Sequence, residues 1–233
     1  MKSKMQSLKA TALAAMLLAA PLAACAQAAA AERLPAPAVD IRAPAPKALQ
    51  KAVLAGGCFW GVQGVFAHVN GVTRVVSGYS GGTAQTADYR VVSSGRTGHA
   101  ESVEITFDPS VISYGEILRI FFSVATDPTQ LNAQYPDSGP QYRNEIFATN
   151  DEQAKVARAY IAQLGQAKAF AKPIVTKVSA LKAFYPAEAY HQNYLFEHPN
   201  APYIVRYDRP KIEDLRAKFP DRWRPKPVLV AKS

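Results

Sequence analysis

Cys58 is the residue best placed in this sequence to carry covalent chemistry. The chain holds two cysteines, Cys25 and Cys58. Cys58 follows Gly56-Gly57 at the end of the strand-like run Lys51–Ala55. It precedes a segment with Phe59, Val62, Phe66 and Val69 at helical spacing. That order puts the sulfur in the first turn of a helix entered from a strand. Unpaired backbone N–H groups and the positive dipole end there favour a thiolate. The two glycines permit a sharp turn and close approach of a substrate. Phe59 and Trp60 follow directly, as walls of an apolar pocket or as core. The plainer reading of Cys58 itself is a buried, inert thiol.

Glu101 is the second informative residue. In the strand-like stretch His99–Phe107, one face carries His99, Glu101, Val103, Ile105 and Phe107, and the other carries Glu104 with smaller polar residues. A carboxyl on the apolar face is desolvated, its pKa should rise, and it can then serve as an acid near neutrality. Exposure at the strand end is the alternative. The polar stretch from Asp127 to Arg143 contains Pro128, Pro136 and Pro140 and reads as a long loop, a kind of segment that commonly carries function. It offers Asp137 and Tyr142, and Tyr89 lies after Gly82. His191, Gln192 and Tyr194 form a late polar cluster. His191 is a candidate base for Cys58, so a thiol hydrolase stands as a rival reading, and a binding module without turnover as another.

The elements that must position these groups follow a βα β β α β α β order. Strands are expected at Lys51–Ala55, Val72–Tyr79, His99–Phe107, Glu145–Ala148 and Pro173–Ala180. Helices are expected from Cys58 to Val69, from Tyr114 to Val124, from Asp151 to about Lys168 behind Asn150, and from Pro186 to His198. This is an α+β chain with helices packed on a mixed sheet. Its 233 residues suit one domain with extensions, and two cysteines exclude a disulfide framework or a cysteine-based structural zinc site. No metal is expected.

The net charge of +9 is terminal. Lys2, Lys4 and Lys9 precede any acid, and residues 209–233 hold eight bases against three acids, which leaves the middle nearly neutral. That distribution argues against a nucleic-acid-binding face on the main domain. The basic N-terminus and the apolar run Ala10–Ala24 have the shape of a secretory signal. Leu22-Ala23-Ala24-Cys25 resembles a bacterial lipobox, with cleavage after Ala26-Gln27-Ala28 as its rival. The expected layout is a signal peptide over 1–25 and an Ala/Pro-rich tether over 26–48. The catalytic domain follows over 49–208, then a basic, solvated extension over 209–233. Residues 1–25 thus predict export to the periplasm or a lipoprotein anchored at Cys25.

Gly56-Gly57-Cys58-Phe59-Trp60-Gly61 resembles the A-type peptide methionine sulfoxide reductases. The resemblance continues in order through Gly78–Gly82, Tyr89-Arg90, Gly98–Glu101, Asp108-Pro109, Tyr114, Asp127-Pro128, Gly139–Arg143 and Tyr190–Tyr194, over about residues 50–195. It implies a ferredoxin-like two-layer α/β sandwich with long loops that reduces methionine S-sulfoxide, free or in oxidised proteins, without a bound cofactor. Cys58 would be the nucleophile and pass through a sulfenic acid. Glu101 would protonate the sulfoxide oxygen, and Tyr89 and Tyr142 would hydrogen-bond it. Phe59 and Trp60 would hold the substrate methyl group, and Asp137 would help organise the site. Many relatives carry resolving cysteines near the C-terminus, whereas no cysteine follows Cys58 here. The implied reductant is external, a thioredoxin-like protein or a small thiol, and the expected state is a monomer. Pro140 replaces the Thr expected in the family pattern, which puts the fine geometry of that loop in question.

Overall fold

A computed structural model describes residues 33–41 and 48–231. The expected signal segment and Cys25 lie outside the described residues.

The strands are β1 (Gln50–Gly56), β2 (Val72–Ser80), β3 (Ala100–Phe107), β4 (Ala133–Gln134), β5 (Asp137–Ser138), β6 (Asn144–Ala148), β7 (Lys177–Ala180) and β8 (Phe184–Pro186). The helices are α1 (Phe59–Ala67), α2 (Tyr89–Val92), α3 (Tyr114–Ile120), α4 (Asp151–Gln166), α5 (Tyr194–Glu197) and α6 (Arg209–Lys218). Six strands form one sheet in the order β7-β6-β1-β3-β2-β8, and β4 and β5 form a separate hairpin. All neighbours in the large sheet are antiparallel except β6 and β7. The inner order β6-β1-β3-β2 comes from two interleaved crossovers, β1-α1-β2 and β3-α3-β6. This is the split βαβ arrangement of a ferredoxin-like sandwich. The α+β expectation therefore holds.

The strand alternation explains where the core sits. Ala52 and Leu54 of β1 and Val103, Ile105 and Phe107 of β3 face the helices. There they meet Val62, Val65 and Phe66 of α1, Ile117 and Leu118 of α3, and Val156, Tyr160 and Leu164 of α4. Val53 and Ala55 point to the other side, into a smaller cluster with Ala100 and Phe147. Ser113 caps α3 by accepting the Glu116 N–H at 3.1 Å, and Asn150 caps α4 by accepting that of Gln153 at 2.9 Å. α3 runs on into a wider π turn over Phe121–Ala125.

Three expectations need correction. The helix expected over Pro186–His198 is instead the strand β8, a 3₁₀ turn at Ala189–His191 and the short α5. Gln192 is extended because its side chain bonds Ser77 and Ala187 carbonyls, and Asn193 has a left-handed φ of 59°. Tertiary hydrogen bonds override the local helical pattern. The described part of the expected tether is docked. Arg119 Nε donates to the Leu34 carbonyl at 2.7 Å, and the Tyr160 hydroxyl to that of Pro35 at 2.8 Å. The Gly115 N–H donates to Asp40 at 2.8 Å. The expected solvated extension is part of the domain as well. Leu215 of α6 and Phe219 are fully buried, and Val69 bridges to Trp223. Ile204, Asp208, Ile212, Leu215 and Phe219 recur every three or four residues, a helical face that the surrounding basic charges disguise.

Candidate active site

β1 delivers the chain to Gly57, whose φ of +92° turns it sharply into α1. A Cβ at Gly57 would overlap the Gln134 side chain, so glycine is required for both conformation and space. Gln134 is held in turn by the Asp127 N–H at 3.0 Å and the Thr126 hydroxyl at 2.6 Å. Cys58 then occupies the N-cap of α1, one residue ahead of the first turn expected from the sequence.

Cys58, Phe59, Trp60, Tyr89, Glu101, Asp137, Tyr142 and Tyr203 line one cavity of about 200 Å³. All of them but Tyr203 are residues to which the family resemblance gives a role in the site, whereas His191, Gln192 and Tyr194 are not among them. Glu101 is 3% exposed, on the apolar face of β3, and its Oε2 accepts the Phe59 N–H at 3.0 Å. Burial raises its pKa to about 8, and the nearby Asp137 and Asp208 carboxylates add to the rise, against the lowering effect of the Phe59 bond. Glu101 therefore holds its proton at neutral pH. The Tyr89 N–H that opens α2 is anchored on Glu188 at 2.8 Å. Tyr142 ends the turn Pro140–Tyr142, and Pro140 suits the first position of that turn. Burial raises both phenols above their ordinary value, and Glu101 adds to each.

The thiol differs from the expectation. Burial pushes the Cys58 thiol well up, and Glu101 and Asp208 push the same way. The Trp60 N–H bond and Lys211 oppose them. The helix end is present, but desolvation and two carboxyl groups outweigh it.

Two groups in or beside the cavity escaped the sequence reading. The Tyr203 hydroxyl donates a very short hydrogen bond to Asp137 Oδ2 and so fixes that carboxylate. Asp208 is fully buried and paired with Lys211 at 3.1 Å. Both lie at the C-terminal edge of the expected catalytic domain, beyond its last expected helix and just before the expected extension. The helical spacing from Ile204 to Phe219 was the signal that could have found them.

His191 does not line the cavity. It lies against the rings of Phe59, at 5.1 Å between centroids, and of Trp60. The Trp60 indole N–H donates to its Nδ1 at 3.1 Å. Tyr194 stacks on Trp60 at 3.8 Å, and Gln192 ties Gln63 of α1 to β2. The late polar cluster is thus scaffold for the Trp60 wall, and among the described residues no histidine lines the cavity with Cys58. Among the described residues no group of three or more His, Cys, Asp or Glu side chains is arranged to hold a metal ion.

The chain as a whole is similar to known proteins of one family. The sequence profile of the family described as peptide methionine sulfoxide reductase matches residues 50–223. The chain is 58% identical over 181 residues to peptide methionine sulfoxide reductase MsrA 2 of Mesorhizobium japonicum, covering 78% of this chain and 93% of that protein. It is 51% identical over 191 residues to MsrA 2 of Synechocystis, covering 81% and 89%. Among solved structures, reduced Mxr1 of Saccharomyces cerevisiae aligns with a TM-score of 0.60 at 31% identity, over 69% of this chain and 91% of that one.

Proposed function

The chain belongs to the peptide methionine sulfoxide reductase family, and we propose that it reduces methionine S-sulfoxide, free and protein-bound, through a sulfenic acid on Cys58. The observation that carries this mechanism is a buried Glu101 in the same cavity as Cys58, with aromatic walls around both.

The ionised sulfur of Cys58 attacks the sulfoxide sulfur. Negative charge gathers on the sulfoxide oxygen, and Glu101 transfers its proton there while the Tyr89 and Tyr142 hydroxyls donate hydrogen bonds to it. The oxygen then passes to the Cys58 sulfur as the substrate's S–O bond and the transient S–S bond break, so that methionine leaves and Cys58 is left as a sulfenic acid. Glu101 regains its proton from solvent, to which Cys58 gave one up on ionising. No cysteine follows Cys58 in the sequence. An external thiol therefore attacks the sulfenic acid and releases water. A second thiol equivalent then frees Cys58 and leaves the reductant as a disulfide. A thioredoxin-like protein or a small thiol meets this need. The basic, then apolar segment Lys2–Ala24 supports a site of action in the bacterial cell envelope, with Cys25 as the candidate lipid anchor.

The test is dithiothreitol-driven reduction of a methionine S-sulfoxide substrate by the purified protein beside Cys58→Ser and Glu101→Gln. The expected outcome is turnover by the wild type, none by Cys58→Ser and a large loss in Glu101→Gln. A folded wild type that turns over no sulfoxide would overturn the proposal, as would an intramolecular disulfide to Cys58 that forms during turnover.

A further inference from the structure

The ion pair of Asp208 and Lys211 is packed directly against the turn that presents the nucleophile. Asp208 closes the π turn Ile204–Asp208, and Lys211 lies in the first turn of α6. Their carboxylate and ammonium meet at 3.1 Å, and the Asp208 side chain is fully buried. The meeting point is Gly61, the third residue of α1. A Cβ there would overlap Asp208 Oδ1 and stand 2.9 Å from Lys211 Nζ. The glycine is thus an opening in the wall of α1 through which this pair reaches the first helical turn after Cys58. Among the described residues the second oxygen of Asp208 has no hydrogen-bond partner, so the carboxylate is held by Lys211 and by packing.

The groups around the sulfur show why a cation matters there. Glu101 reaches the site from β3, Asp137 from β5 and Asp208 from the π turn, and the phenols of Tyr89, Tyr142 and Tyr203 complete the ring. Three acids and three phenols surround a thiol that must ionise, and Lys211 is the ammonium brought against them.

We propose that Lys211, anchored by Asp208 through the opening at Gly61, is a positioning residue that supplies the positive charge under which Cys58 ionises. The inference rests on Cys58 as the nucleophile. It adds a residue of the C-terminal segment to the machinery, one that acts through the sulfur and touches no substrate. The electrostatics of the site agree in sign. Asp208 disfavours the ionised sulfur and Lys211 favours it. Lys211 also lowers the pKa of both Asp137 and Asp208, which burial otherwise raises.

The opposite signs define the experiment. Rates of Cys58 alkylation by iodoacetamide are measured against pH on the purified full chain, read by the mass of the Cys58 peptide so that Cys25 does not contribute. Lys211→Met should slow alkylation roughly tenfold at each pH below the thiol midpoint, because its midpoint should lie about one pH unit higher. Lys211→Arg should keep the wild-type profile, and Asp208→Asn should move it the other way and speed alkylation several-fold. A folded Lys211→Met with the wild-type profile would overturn the proposal. So would Lys211→Met and Asp208→Asn moving in the same direction. If Lys211→Met does not fold, Lys211→Gln decides. Slower alkylation supports the electrostatic role, and an unchanged profile removes it. Sulfoxide turnover by the wild type is scored separately, so a failure of the reductase mechanism shows there and not in the alkylation series.

Discussion

Glu101 and Glu145 are both buried glutamates on the central sheet, and their surroundings give them opposite characters. Glu101, on β3, is 3% exposed, and among the described residues its carboxyl meets the Phe59 N–H and no cation. Glu145, on β6, is 5% exposed, but Arg143 Nε donates to it at 2.6 Å and the Ser179 hydroxyl at 2.6 Å. Desolvation without a counter-charge makes a carboxyl hold its proton. A guanidinium and a hydroxyl beside the other carboxyl give it hydrogen-bond partners that fix its place in the frame. Arg143 uses its remaining N–H groups on the carbonyls of Gly98, His99 and Pro140. The Glu145 pair therefore clamps the start of β3, which carries Glu101, to the turn that carries Tyr142. The proposed mechanism uses one glutamate as the acid, and the other holds its frame.

The largest effect should come from removing the proton and keeping the shape. Glu101→Gln should lower sulfoxide turnover by about 10²–10⁴-fold, the range for loss of a general acid, with the fold intact by circular dichroism. Glu145→Gln should do the reverse. It removes the charge opposite Arg143, which keeps its bonds to the Gly98, His99 and Pro140 carbonyls, and should cost roughly 1–3 kcal/mol in denaturant unfolding. Turnover per folded molecule should fall far less than in Glu101→Gln. Equal losses of activity in the two variants would erase the distinction.

The pH dependence of stability sharpens the same contrast. The folded pKa of Glu101, about 8, lies above its ordinary value of 4.5. As pH rises from about 4.5 to about 8, the unfolded chain releases this proton before the folded one does. Folding is then progressively disfavoured. Glu101→Gln cannot ionise, so at pH 8 it should be more stable than the wild type, by about 4 kcal/mol, with little difference near pH 4.5. Thermal unfolding at the two pH values measures this. A constant offset between the two proteins would mean that Glu101 does not hold its proton in the folded state.

Much of this site was legible because its parts are local. Gly57 and Cys58 are adjacent, and the alternation of β3 assigns Glu101 to the buried face without any tertiary knowledge. The position of Cys58 was legible too, but not its electrostatics. Helix-end geometry is local, whereas desolvation and the Asp208 charge arrive from elements far along the chain. The same limit hid Tyr203, Asp208 and Lys211. Their net basic neighbourhood suggested solvent, while burial of Ile204, Leu215 and Phe219 was decided by packing on α1 and α3. At Pro186–His198 the helical pattern lost to side-chain bonds with β2, which no local propensity encodes.

Glu104 completes the comparison and should give the smallest effect. It lies three residues from Glu101 on β3, across from Val53 on β1 and Val76 on β2, and on the opposite face of the sheet from Glu101. It pairs with Lys51 at 2.9 Å, whose side chain is 55% exposed. A pair open to water on one side gives up little when broken, because solvent replaces the lost contact and the lysine regains its freedom. Lys51→Met should therefore change stability by less than about 1 kcal/mol, diminishing further in high salt, with sulfoxide turnover unchanged. A loss of several kcal/mol would mean that the Glu104 face of the sheet is as enclosed as the Glu101 face. The separation of acid, clamp and surface charge along two strands would then rest on something other than access to water.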